Sequence, residues 1–148
     1  ESFHMASAIK RCLDFKNVKV ISFGIRNLSI DEMNFYEKNK DRINIFWSKD
    51  KEKWNMDDIK KNFLNKNVYI TFDVDSFDSS IMPATGTPEP GGLFWYETLN
   101  IIKTVCKSAN IVGADINELA PIKNFTSYNF LVAKLIYKIL AYTFEFKR

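Results

Sequence analysis

Apolar residues recur along this chain at two different periods, and the switches between them mark out its elements. Met5, Ala8, Ile9, Cys12 and Leu13 fall at spacings of three and four with Lys10, Arg11 and Asp14 opposite, so an amphipathic helix is predicted over 5–16. VKVISFGI at 18–25 is a short β-branched run closed by Gly24, the pattern of a buried strand. Ser29 with Glu32 three residues later is a capping box, which starts a helix running to about Lys38. INIFW at 43–47 reads as a second strand. Asn55 precedes Met56, Asp57 and Asp58, and Lys60, Lys61 and Lys66 follow. Acids in the first turn and bases in the last predict a helix over 56–65 whose charges form a solvated face.

Beyond it, the apolar run from Val68 ends in Asp73, Asp75 and Asp78 and reads as a strand. Leu93, Tyr96, Leu99, Ile102 and Cys106 mark one face of a helix over 93–107, and ANIVGAD at 109–115 is strand-like. Tyr128, Leu131, Val132, Leu135, Ile136, Ile139 and Tyr142 give a long final helix with Thr126 or Ser127 as its cap. Strands alternating with helices imply an α/β fold: three α/β/α layers around a mainly parallel sheet covered on both faces. With no internal repeat, low-complexity tract or linker, residues 1–148 form a single domain, and the Pro/Gly-rich piece at 83–92 is a loop inside it.

Composition narrows the function classes. The chain is 46% hydrophobic and 15% aromatic, enough for a proper core. Phe63, Phe125, Phe130, Phe144 and Phe146 are assigned to core or subunit interface. Against 21 basic residues stand 18 acidic ones, and the lysines are scattered along helix faces, which argues against a nucleic-acid partner. Cys12 and Cys106 both fall on apolar helical stripes, the placement of buried free thiols in a reducing compartment. No run reaches the roughly 18 continuous apolar residues of a membrane span, and no signal-peptide pattern opens the chain. The expectation is a soluble, cytoplasmic protein without a membrane partner.

The candidate chemistry is concentrated in VYITFDVDSFDSSIMPATGTPEPGGL at 68–93. Carboxylates at the end of a buried strand are costly unless paired, and a metal ion is the first candidate partner. Side chains alternate along a strand, so Asp73 and Asp75 point to the same face about 6.6 Å apart, at roughly 3.3 Å per residue. That spacing suits convergence on one metal or on a metal pair, at the carboxyl end of a strand where open α/β sheets place ligands. A DxD pair alone also fits capping, loop hydrogen bonding or a phosphoaspartate-type site. Pro83, Pro88 and Pro90 stiffen the following loop while Gly86, Gly91 and Gly92 allow close backbone approach, so one particular backbone shape is held beside the acids.

TFDVDSFDSSIMPATGTPEPGG resembles the signature of the ureohydrolases, the arginase and agmatinase group. Thr71 stands where that family has Ser, and Ser79 where it favours Pro. GADINELAP at 113–121 is similar to the family's later strand-end motif, and ESFHMASAIKR at 1–11 resembles its histidine-bearing helix entrance. The resemblance implies an arginase-like fold and hydrolysis of a guanidino or formimino C–N bond, with two Mn²⁺ ions per complete site and a bridging hydroxide as nucleophile. Asp73 would then bridge the metals and Asp75 ligate one of them. Asp78 would hold the loop, Glu118 would grip the substrate's guanidinium, and His4 would shuttle a proton or act as acid toward the leaving amine. Glu-Pro-Gly-Gly at 89–92 leans toward agmatinase-like members, with agmatine cleaved to putrescine and urea; arginase or formimidoylglutamase activity is the alternative. The resemblance also suggests a homo-oligomer, trimer or hexamer.

The family's two upstream ligand motifs, Gly-Gly-Asp-His and Asp-Ala-His-x-Asp, are not in these residues, and His4 is the sole histidine. The expectation is therefore the C-terminal half of a ureohydrolase catalytic domain, which alone lacks the full set of metal ligands. Two other classes stay open: a magnesium-dependent phosphoryl-transfer enzyme, whose plan the PATGTPEPGG loop does not fit, and a catalytically incomplete relative retained for assembly.

Overall fold

The computed structural model describes residues 8–147, so His4 and the predicted start of the first helix lie outside the described residues. Helix α1 (Ala8–Cys12) is followed by strand β1 (Val20–Ile25), helix α2 (Ile30–Lys38) and strand β2 (Ile43–Trp47). A 3-10 segment (Ser48–Lys53) leads to helix α3 (Met56–Lys61) and strand β3 (Asn67–Asp73). A second 3-10 turn (Val74–Ser76), helix α4 (Trp95–Ser108), strand β4 (Asn110–Asn117) and helix α5 (Ser127–Glu145) complete the order.

Local chemistry accounts for most of these boundaries. Ser29 accepts from the Glu32 amide at 3.2 Å while the Glu32 carboxylate accepts from the Ser29 amide at 2.7 Å, the reciprocal box that opens α2. Asn55 Oδ1 accepts from the Asp57 amide at 2.8 Å and opens α3. That helix stops at Lys61, short of the predicted residue 65, and Asn65 takes a positive φ of 57°. The first helix likewise ends at Cys12, short of the predicted 16, in a run of turns. Consequently Cys12 is exposed, against the expectation of a buried thiol, whereas Cys106 is buried. The predicted face of α4 also needs correction. Leu93 is buried but precedes the helix, and Tyr96 is 81% exposed, because the helix starts at Trp95 and turns Tyr96 outward.

The strands pair in parallel, as the alternation requires. Val20 stands opposite Ile43 and Phe23 opposite Phe46 in β1–β2. Asn67 stands opposite Asn110 and Asp73 opposite Asn117 in β3–β4. Among the described residues these are two separate two-stranded ladders. Between β1 and β3 lies an open trough of about 1690 Å³, walled by Ile21, Phe23, Val68 and Ile70 and ending at Asp73 and Asp75.

Helix α4 holds the two halves together because it faces two apolar clusters. Leu99, Ile102 and Cys106 pack with Phe72, Phe77, Met82 and the α5 residues Val132, Leu135 and Ile139. Ile101 and Val105 pack with Ile59, Phe63 and Leu93, against which Phe23 and Phe46 are laid. The Phe23 and Phe46 rings stack at 4.8 Å across the β1–β2 ladder. Burial alternates along β3 and β4, so one face is packed while Tyr69 and Val112 remain exposed on the other. Over this pair the described residues supply one of the two covering layers expected for a parallel sheet. Phe63 is core, but Phe125, Phe130 and Phe144 are more than half exposed.

Candidate functional site

The backbone leaves strand geometry at Asp73, and this changes how the acids meet. Asp73 caps the 3-10 turn Val74–Ser76, its Oδ1 accepting from the Asp75 amide at 3.2 Å. The predicted alternation of Asp73 and Asp75 along one extended strand is therefore incorrect. The turn brings them together instead, because a side-chain oxygen at a cap satisfies an amide that the ladder no longer serves. Asp75 Oδ2 in turn accepts from Thr87 Oγ1 at 2.8 Å, which ties the turn to the TGTP segment of the loop.

Glu118 reaches the same place from β4. Its φ of +64° is costly for a residue with a side chain, about 1 kcal/mol or more. The kink lets Leu119 bridge Thr85 and the Ala120 amide donate to the Ala84 carbonyl at 2.9 Å. The Glu118 carboxylate then lies beside the loop, where a Cβ placed on Gly86 would stand 3.9 Å from Oε2. The consequence is visible at Asp73, whose carboxyl pKa is raised from 3.8 to about 6. Partial desolvation is the main cause, partly offset by the hydrogen bond from the Asp75 amide, and the negative charges of Asp75 and Glu118 add to it.

Asp78 sits differently. Its Oδ2 accepts from the amides of Gly91 at 2.7 Å and Gly92 at 3.1 Å, and its Oδ1 accepts from the Ser80 amide at 3.0 Å and from the Ser80 hydroxyl. Bonds from Ser80 first, then those from Gly91 and Gly92, hold its carboxyl at about 2. A carboxylate so fully engaged closes the loop on itself and has little left for a ligand. Gly92 is required there: a Cβ would come within 2.4 Å of the Asp78 nitrogen and the Phe77 carbonyl carbon.

Three of the sequence-predicted site residues, Asp73, Asp75 and Glu118, thus converge at the carboxyl ends of β3 and β4, while His4 lies outside the described residues. Two contributors were missed. Thr87 carried no signal beyond its place in the stiff loop, and Arg26 stood unremarked just after β1. Closely placed carboxylate oxygens of like charge suit a hard divalent cation, so Asp73 and Asp75 are the right donor types for part of a metal centre. Among the described residues no group of three or more His, Cys, Asp or Glu side chains is placed to hold a metal ion, so the centre needs further donors.

Known proteins are similar to this chain in sequence and fold. The chain is 34% identical over 147 residues to an N(1)-aminopropylagmatine ureohydrolase of Synechocystis, a match covering 97% of this chain and 46% of the relative. It is 31% identical to an agmatinase of Pyrococcus horikoshii, over 90% of this chain and 46% of that protein. The agmatine ureohydrolase of Thermoplasma volcanium superposes with a TM-score of 0.78 at 29% identity, covering 97% of this chain and 50% of that structure. The chain spans about half the length of the relatives it matches. The sequence profile of the arginase family covers residues 1–141, and with the shared fold and the clustered Asp73, Asp75 and Glu118 it establishes that this chain belongs to the arginase family.

Proposed function

We propose that this chain is part of a manganese-dependent ureohydrolase that cleaves the guanidino C–N bond of a linear substrate, agmatine being the preferred candidate, to urea and an amine. The observation that carries the reading is the convergence of Asp73, Asp75 and Glu118 in a member of this family, with Asp73 raised to about 6 mainly by partial desolvation and further by the negative charges of Asp75 and Glu118. Two kinds of cation would balance these charges. Asp73 and Asp75 would hold Mn²⁺, which when bound supplies an activated water at neutral pH. Glu118 would take the substrate's planar guanidinium, whose paired N–H donors match a carboxylate. Thr87 keeps Asp75 turned toward Asp73, and Asp78 keeps the loop wall shut through Gly91 and Gly92. His4 would deliver a proton to the leaving amine.

Donors beyond the described residues would complete the metal centre, entering along the trough that opens between β1 and β3 beside Asp73 and Asp75. A homo-oligomer is part of the same reading. Phe130, Tyr137 and Phe144 at one-turn multiples on α5 leave 70%, 64% and 68% of their surfaces exposed, an apolar stripe suited to self-association. Sedimentation of the intact protein as a monomer would refute that element. Among the described residues no helix is long and apolar enough to cross a membrane, and a cytoplasmic location is proposed, testable by fractionation.

The decisive experiment loads the intact protein with Mn²⁺ and measures urea from agmatine and arginine, and amide release from formiminoglutamate. Agmatine turnover well above the others is expected, and Asp75→Ala should abolish it. No product from any of the three at saturating metal refutes the enzymatic reading.

A further inference from the structure

Arg26 follows the last residue of β1, and its side chain is 14% exposed. Its guanidinium gathers three main-chain oxygens: Nη2 donates to the Asp75 carbonyl at 2.5 Å, and Nη1 donates to the carbonyls of Gly24 at 3.1 Å and Ser76 at 3.3 Å. A flat fork of donors suits this set, which a single ammonium nitrogen does not reproduce. Arg26 Nε is buried without a hydrogen-bond partner, 3.9 Å from Glu89 Oε2. That carboxylate takes a hydrogen bond from Asn27 instead. One partly buried cation thereby joins the end of β1 to the turn carrying Asp75 and faces the loop residue Glu89.

We propose that Arg26 is a positioning residue for the metal-binding turn: its grip on the Asp75 and Ser76 carbonyls fixes the backbone from which the Asp75 carboxylate is aimed beside Asp73. The inference rests on reading Asp73 and Asp75 as metal ligands. Those two carboxylates repel each other, and the hydrogen bond from Thr87 tethers the Asp75 side chain from the loop side alone. β1 and β3 share no ladder, so nothing in the sheet locks the turn to β1; the guanidinium makes that connection across the trough.

The test uses the intact protein with Arg26→Met and Arg26→Lys. Amide exchange over residues 74–78, measured without metal, is expected to quicken at least tenfold in Arg26→Met and by less in Arg26→Lys, with α5 unchanged. The Mn²⁺ dissociation constant should rise about 10- to 100-fold in Arg26→Met, the range found when residues supporting metal ligands are removed. Exchange at 74–78 that stays at the wild-type rate overturns the proposal, as does faster exchange with unaltered Mn²⁺ affinity. Quickened exchange throughout α5 in both variants also overturns it, by showing a merely structural role. A wild-type protein that takes up no Mn²⁺ overturns the metal reading itself, a result distinct from a variant that binds as tightly as wild type.

Discussion

Replacing Asp78 with Asn preserves the shape of the side chain and removes its charge, so the variant isolates what the carboxylate contributes to the loop. The carboxyl is held at about 2 against an ordinary 3.8, which at about 1.36 kcal/mol per unit sets a ceiling near 2.4 kcal/mol. Ser80 and Gly91 are exposed, and solvent screening reduces this to about 1 kcal/mol at pH 7. Asp78→Ala goes further, because the Gly92 amide is buried and loses its acceptor, for a total of about 2–3 kcal/mol. The sign with pH follows from the lowered value. A depressed carboxyl stabilises fully above its unfolded pKa and loses that contribution as pH falls through the folded one, so the gap between wild type and Asp78→Asn is constant above about pH 4.5 and closes toward pH 2. Urea unfolding of the intact protein at several pH values between 7 and 2.5 measures both the size and the closure. Equal stability at pH 7, or a gap that stays constant down to pH 2.5, would show that the carboxylate is not what closes the loop.

Three further outcomes are expected. Thr87→Val deletes the hydroxyl that donates to Asp75 Oδ2 at 2.8 Å, and should lower kcat/KM about 3- to 10-fold with the unfolding midpoint nearly unchanged; steady-state urea release checks it. Leu135 is fully buried between α4 and α5, so Leu135→Ala should cost about 2–5 kcal/mol in denaturant unfolding without altering the metal dissociation constant per folded molecule. Because the Asp73 carboxyl is raised to about 6 and a ligating carboxylate must be ionised, Mn²⁺ affinity should fall as pH drops through about 6; calorimetric titrations at pH 5–8 giving a flat profile would contradict it.

Particular residues show how much of this was legible beforehand. Glu32 three residues after Ser29, and Asn55 before two aspartates, announced α2 and α3 because caps are chemistry between near neighbours in sequence. Asp73, Asp75 and Glu118 stood out by type and motif, and the structure places them at the ends of β3 and β4, near enough for the charges of Asp75 and Glu118 to act on Asp73. Helix ends and faces were less legible. Tyr96 fitted an apolar stripe by spacing, yet the helix starts at Trp95, two residues after the predicted start, and Tyr96 in its first turn is 81% exposed.

The family, the parallel α/β order and the identity of the acids follow from sequence alone, because each depends on local periodicity or on a contiguous motif. The bend that ends β3 at Asp73, the positive φ that turns Glu118 back on the loop, and the reach of Arg26 to a turn 49 residues away depend on long-range packing. So does the separation of β1–β2 from β3–β4, because strand pairing is settled by contacts between segments far apart in sequence. Repulsion among the site carboxylates is likewise a matter of distance in space, which no spacing along the chain encodes.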